Sequence, residues 1–322
     1  MIKLFLGNKT YVLLLLPIYL VCYQLLNYSF GFYDLDEPVH FGLWSTSVEL
    51  SALWSVVFAS LVVLFNAFGL NLLVNRNNFY ERNTYLVALT YIVFMSLFKS
   101  SYVLCGTLLL HSSMIIMTHQ LFEINKREDG RKNVFNAFMF MGIGITLYPS
   151  FGFMMPLLIL SVLVIRTLSL KEFFSAFVGL GIPFIYYFSF SYLTDSSFNF
   201  SVLSQSFQLE IKDFWFVIIS VGVFSLLCFF AVIIKSRKTK IQTSKQIRSL
   251  IVLIMTFLIF SIYQLISFQQ IEHLSLVLIP MSILLILAFL SDSYAIAANV
   301  LFYIVFAYSV IKFFLFLPTQ DV

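Results

Sequence analysis

The chain has 322 residues, 61% of them hydrophobic and only 11% charged, with a formal net charge of +4. That balance excludes an ordinary soluble domain and makes a lipid bilayer the main solvent. The basic residues are spread over short loops, where they set topology and meet anionic lipid, so the positive charge gives no reason to expect nucleic acid as a partner.

A helical crossing needs about 20 apolar residues. Apolar runs lie near residues 11–30, 48–74, 84–98, 102–122, 134–148, 150–165, 173–194, 214–234, 249–267, 273–290 and 296–316. They predict an all-α, polytopic transmembrane helical protein of about 11 helices. The longest polar segments, near 31–47, 195–213 and 235–248, are too short for a core of their own, so residues 1–322 read as a single integral membrane domain.

The first run contains Pro17, Tyr19 and Gln24 and has no small-residue cleavage site before Gly31, which predicts a retained membrane helix. The third run, near 84–98, is short for an upright crossing. In the fourth, Ser100, Thr107, His111 and Thr118 fall within about 40° of one another at helical spacing. They form one polar stripe, suited to hydrogen bonds between helices or to lining a substrate path.

Further along, Tyr148-Pro149-Ser150-Phe151-Gly152 reads as a tight turn between the fifth and sixth runs. The pairs Gly142/Gly144 and Gly179/Gly181 suit close helix contact. Cys22, Cys105 and Cys228 have no metal-ligand spacing, and neither a P-loop nor a glycine fingerprint is present. No Asp, Glu, Lys or Arg lies near the centre of a run, which disfavours an ion-coupled transporter.

The runs divide the charges. With the N-terminus inside, 16 of the 19 Lys and Arg residues fall on the inner side, leaving Lys99, Lys212 and Lys312 outside. The positive-inside rule then predicts a cytoplasmic N-terminus and an external C-terminus. Nine of the fifteen acidic residues fall outside.

Four of those nine lie in the first outer segment, where Phe32-Tyr33-Asp34-Leu35-Asp36-Glu37-Pro38-Val39-His40 sets three carboxylates and an imidazole among aromatic residues. Carboxylates so placed could take a proton from an acceptor hydroxyl or hold a divalent cation against a phosphate. They could equally be a wet outer loop with an interfacial aromatic belt.

An acidic element in the first outer loop, short helices after it, basic inner loops and a late outer segment leading into a Pro-containing helix together resemble the GT-C class of membrane glycosyltransferases. The resemblance implies a GT-C-like arrangement binding a polyprenyl-phosphate-linked sugar, with Asp34, Asp36 or Glu37 as the catalytic carboxylate. It implies outer polar contacts to the donor at His40 and at Gln269-Gln270-Ile271-Glu272-His273, ahead of Pro280. That segment has no Arg or Lys, leaving His273 and Lys99 to meet a phosphate; Glu272 and His111 complete the candidate substrate contacts.

Asn75-Arg76-Asn77-Asn78, Asn83-Thr84-Tyr85, the basic loop 126–132 and the segment 272–280 also resemble a family of uncharacterised multi-pass inner-membrane proteins of Bacteroidota, which implies no activity. Two functions of different class follow: a lipid-linked sugar transferase or carrier-lipid binder, and a non-catalytic subunit holding other envelope membrane proteins. A lipid or solute transporter is a minor third.

Overall fold

The computed structural model describes residues 1–7, 9–33, 35, 41–44, 51–80, 83–124, 129–194, 213–236, 241–291 and 294–315. Among these the chain is all-helical. A short α1 (Ile2–Phe5) precedes α2 (Leu15–Phe30), which is entered through a 3-10 turn at Thr10–Leu14. Then follow α3 (Ala52–Arg76), α4 (Leu86–Met95), α5 (Gly106–Ile124), α6 (Arg131–Leu147), α7 (Met155–Ile165), α8 (Leu170–Leu193), α9 (Phe214–Ser236), α10 (Ile241–Phe268), α11 (Leu278–Phe289) and α12 (Ala295–Leu315).

Every apolar run has become a helix, and the prolines mark where helices begin. Pro17, Pro156 and Pro280 sit in the first turns of α2, α7 and α11, where a missing N–H costs nothing. The turn expected at Tyr148-Pro149 is a 3-10 segment, Pro149–Met154, between α6 and α7. Among the described residues, Pro183 in α8 is the one proline beyond the first turn of a helix.

Among the described residues seven segments are long and apolar enough to cross a membrane: Tyr11–Phe30, Ala52–Arg76, Leu170–Leu193, Phe214–Ile233, Thr243–Phe268, Glu272–Phe289 and Ala295–Leu315. The remaining runs give helices that are shorter, as α4 is with 10 residues, or more polar, as α5 is with His111, Ser112 and Ser113.

Two helices form the centre. Every residue of α4 and of α11 is buried. The two pack on each other; α3 covers α4, while α9, α10 and α12 cover α11. The outermost span is α8, whose Phe174, Phe177, Ile185 and Tyr192 lie fully open. An apolar face of that extent is stable only in lipid.

α8 is held against α6 by backbone approach. A Cβ on Gly179 would lie 2.4 Å from the carbonyl oxygen of Phe135, and one on Gly142 would lie 2.7 Å from that of Leu180. Gly181 meets nothing within 4 Å, so only one member of its pair serves the contact. At the other end of the interface, Ser169 and Glu172 form a capping box at the start of α8. The Glu172 carboxylate also accepts the Gly130 amide at 3.2 Å and pairs with Arg166 at 3.4 Å, tying α6, α7 and α8 together.

Candidate functional site

The central helix α4 is short, and its end creates the polar demand around which the candidate residues gather. A helix leaves its last carbonyl groups without intrahelical partners, and inside a membrane protein these need substitutes. The Ser96 carbonyl accepts the Tyr102 hydroxyl at 2.9 Å and the Lys312 ammonium at 2.7 Å. The Leu97 carbonyl accepts the Tyr33 hydroxyl at 2.8 Å.

The chain then turns through a 3-10 segment at Lys99–Ser101, whose first two amides point at Glu272. One carboxylate oxygen of Glu272 accepts the Lys99 N–H at 3.0 Å, the other the Ser100 N–H at 3.1 Å. Lys99 thus joins the site through its backbone. Glu272 opens the 3-10 turn Glu272–Val277 that leads into α11, so this carboxylate joins the ends of the two central helices.

From the same turn a directed chain of hydrogen bonds runs inward. The Ser275 hydroxyl donates to the Glu272 carbonyl. Its oxygen therefore receives the Nε2 proton of His111, 2.9 Å away, and the His111 Nδ1 accepts from the Tyr91 hydroxyl, also at 2.9 Å. Asn66 Nδ2 donates to Tyr91 at 3.4 Å, and Ser112 donates to Asn66 Oδ1 at 2.7 Å. The series links α3, α4, α5 and the start of α11, with the His111 imidazole at its middle.

His273 points to a separate group. Its Nε2 lies 2.9 Å from Gln270 Oε1, which also accepts the Tyr148 hydroxyl at 3.0 Å. The Tyr148 ring stands 4.3 Å from the imidazole.

Lys312 is wholly buried in the last turn of α12, where a cation suits the helix dipole. It also donates to Tyr33 Oη at 3.1 Å and stands 3.9 Å from Asp213 Oδ2, while Tyr308 bonds Asp213 Oδ1. The rings of Phe32, Tyr33, Tyr102 and Phe313 surround the ammonium, with centroids from 4.7 to 5.7 Å away.

The structure therefore brings Lys99, His111 and Glu272 into one buried group, adds Lys312 and Asp213, and places His273 one residue away facing α10 and Tyr148. The stripe on α5 keeps Thr107, His111 and Thr118 on the buried side, but Ser100 lies before the helix begins. Asp34, Asp36, Glu37 and His40 lie outside the described residues. Among the described residues no three His, Cys, Asp or Glu side chains gather as a metal centre; the divalent cation considered from the sequence would belong to the acidic segment.

Among the described residues a groove of about 360 Å³ lies between α6 and α8. Met139, Ile143, Leu147, Ile182 and Pro183 line it, Tyr186 stands exposed at its side and Trp44 closes one end. Trp44 is anchored by its neighbours: Leu43 N donates to the Thr146 carbonyl at 2.9 Å, and Gly42, at φ +62°, rests on the Leu147 carbonyl where any Cβ would collide.

Comparison with protein-family models, curated proteins and solved structures returns no match.

Proposed function

We propose that this membrane protein binds a polyprenyl-phosphate lipid, carrying a sugar, at the outer face of a bacterial inner membrane, on a GT-C-like scaffold of about eleven crossings with its N-terminus in the cytoplasm. The observation that supports this is the apolar groove between α6 and α8. Its lining is apolar, and Trp44, which borders it, lies four positions after His40 of the acidic segment in the sequence. An apolar groove suits a polyprenyl chain, and on this reading Asp34, Asp36 and Glu37 supply the general base or hold a cation against the phosphate.

Native mass spectrometry of the protein extracted with its lipids tests this. A polyprenyl phosphate should co-purify, and Ile143→Trp, which fills the groove, should remove it. Equal retention in that variant, or no such lipid in the parent protein, overturns the reading. If the lipid binds, loss of sugar transfer in an Asp36→Asn plus Glu37→Gln double variant would assign catalysis to the acidic segment.

A second reading, a non-catalytic subunit of an envelope complex, is favoured by another observation. The polar side chains of Glu272, His111 and Lys312 bond to the protein itself, in the manner of structural groups. Stoichiometric recovery of a partner in mild detergent, without bound carrier lipid, would select it.

A further inference from the structure

A second cavity, of about 300 Å³, lies at the opposite end of α6, between the ends of α3 and α5 and the first turns of α6. From Lys132 here to Leu147 at the groove the helix rises about 22 Å. This is the end that the distribution of Lys and Arg assigns to the cytoplasmic side. Arg76, His119, Lys132, Asn133 and Glu123 line the cavity.

Two buried donors there have no acceptor. Asn133 is 5% exposed, and its Nδ2 makes no hydrogen bond. The second follows from tautomer logic. Arg76 Nη1 lies 3.4 Å from His119 Nε2, and a guanidinium can only donate, so Nε2 accepts and the neutral ring carries its proton on Nδ1. That Nδ1 is buried and unpartnered as well. Buried donors without acceptors are costly and mark a place where a partner belongs.

The charges say what kind of partner. Among the described residues Arg76 and Lys132 contribute two cations and Glu123, 3.9 Å from Arg76 Nε, one carboxylate, so this part of the wall is positive on balance. Two neutral N–H donors beside a guanidinium and an ammonium suit a tetrahedral oxyanion, whose several oxygens accept from different directions.

We propose that this cavity binds a phosphate group, donated to by Asn133 Nδ2, His119 Nδ1, Arg76 and Lys132. The inference is independent of the lipid groove. The phosphate reaches the cavity either as the headgroup of an anionic phospholipid or as free phosphate.

The test uses the full-length protein. Retained phosphatidylglycerol is counted by native mass spectrometry from phosphatidylcholine nanodiscs doped with that lipid. Inorganic phosphate is titrated calorimetrically into delipidated protein in a non-ionic detergent. Retention of phosphatidylglycerol with no response to inorganic phosphate identifies a headgroup site; saturable binding of inorganic phosphate identifies a free-ion site. Either supports the proposal. Asn133→Asp, which replaces the donor by an anion, and Lys132→Gln should each weaken the binding about tenfold. Absence of both ligands, or affinities unchanged in both variants, overturns it. Lys132 is exposed, so its variant keeps the test decisive if Asn133→Asp does not fold.

Discussion

The buried lysine decides how the centre of the protein is held. Lys312 is bonded to the end of α4, caged by four rings and faced by Asp213, so removing its charge leaves the buried Asp213 carboxylate without its cation and the Ser96 carbonyl with Tyr102 as its remaining donor. Lys312→Met should lower stability by about 3 to 5 kcal/mol, the usual cost of breaking a buried pair from one side. Combined with Asp213→Asn it should cost less than the two single changes added. Thermal unfolding in one detergent measures both. At this scale the sequence was informative about kind more than place. His111 stood out in the polar stripe of the fourth run, and Glu272 and Lys99 through the GT-C resemblance. Lys312 and Asp213 were missed as a pair because they are 99 positions apart and each falls at the edge of a run, where a charge ordinarily faces water. The usable signal was the side of the membrane: Lys99 and Lys312 are two of the three cations that break the inner bias, and both sit beside the end of α4.

Helices were more legible than their neighbours. Apolar runs marked the helices from α2 onward, and prolines marked several starts, because hydrogen bonding within the segment is obligatory in lipid; no run marked α1, and α10 begins at Ile241, inside the segment 235–248 that read as polar. Which helices would be central was not legible. In a bilayer both lipid and protein interior accept the same side chains, so hydropathy does not separate α11, which is wholly buried, from α8, which is mostly exposed. Small residues carry that information better. Gly179→Leu should push α8 off α6 and, by forcing a side chain into the Phe135 backbone, cost about 1 to 3 kcal/mol, whereas Gly181→Ala should be nearly silent. Comparing the melting temperatures of the two variants checks the contact. The two variants share a helix and differ by two positions, so helix propensity does not explain a difference between them.

At the scale of the molecule the sequence divided charge by side, and the structure adds which ends of the helices share a neighbourhood. Lys99, Asp213, Glu272 and Lys312 all meet at one end, while Arg76, His119, Glu123 and Lys132 meet at another cavity. A topology of about eleven crossings puts the first group outside and the second inside. Single cysteines at residues 127 and 238, in a background lacking the three native ones, should be labelled by a membrane-impermeant maleimide only after the cell is opened, and one at residue 200 in intact spheroplasts. Labelling of residue 127 in sealed cells would reverse the orientation.

The burial of α4 and α11 on every side has a consequence for permeation. A conduit needs an axis free of packed side chains, and here the axis is filled by two helices whose shortest one is stitched at its end to three others. Among the described residues the middle of the bundle is packed side chain, and the surface left to a molecule arriving from the bilayer is the flank, of which α8 is the most open span.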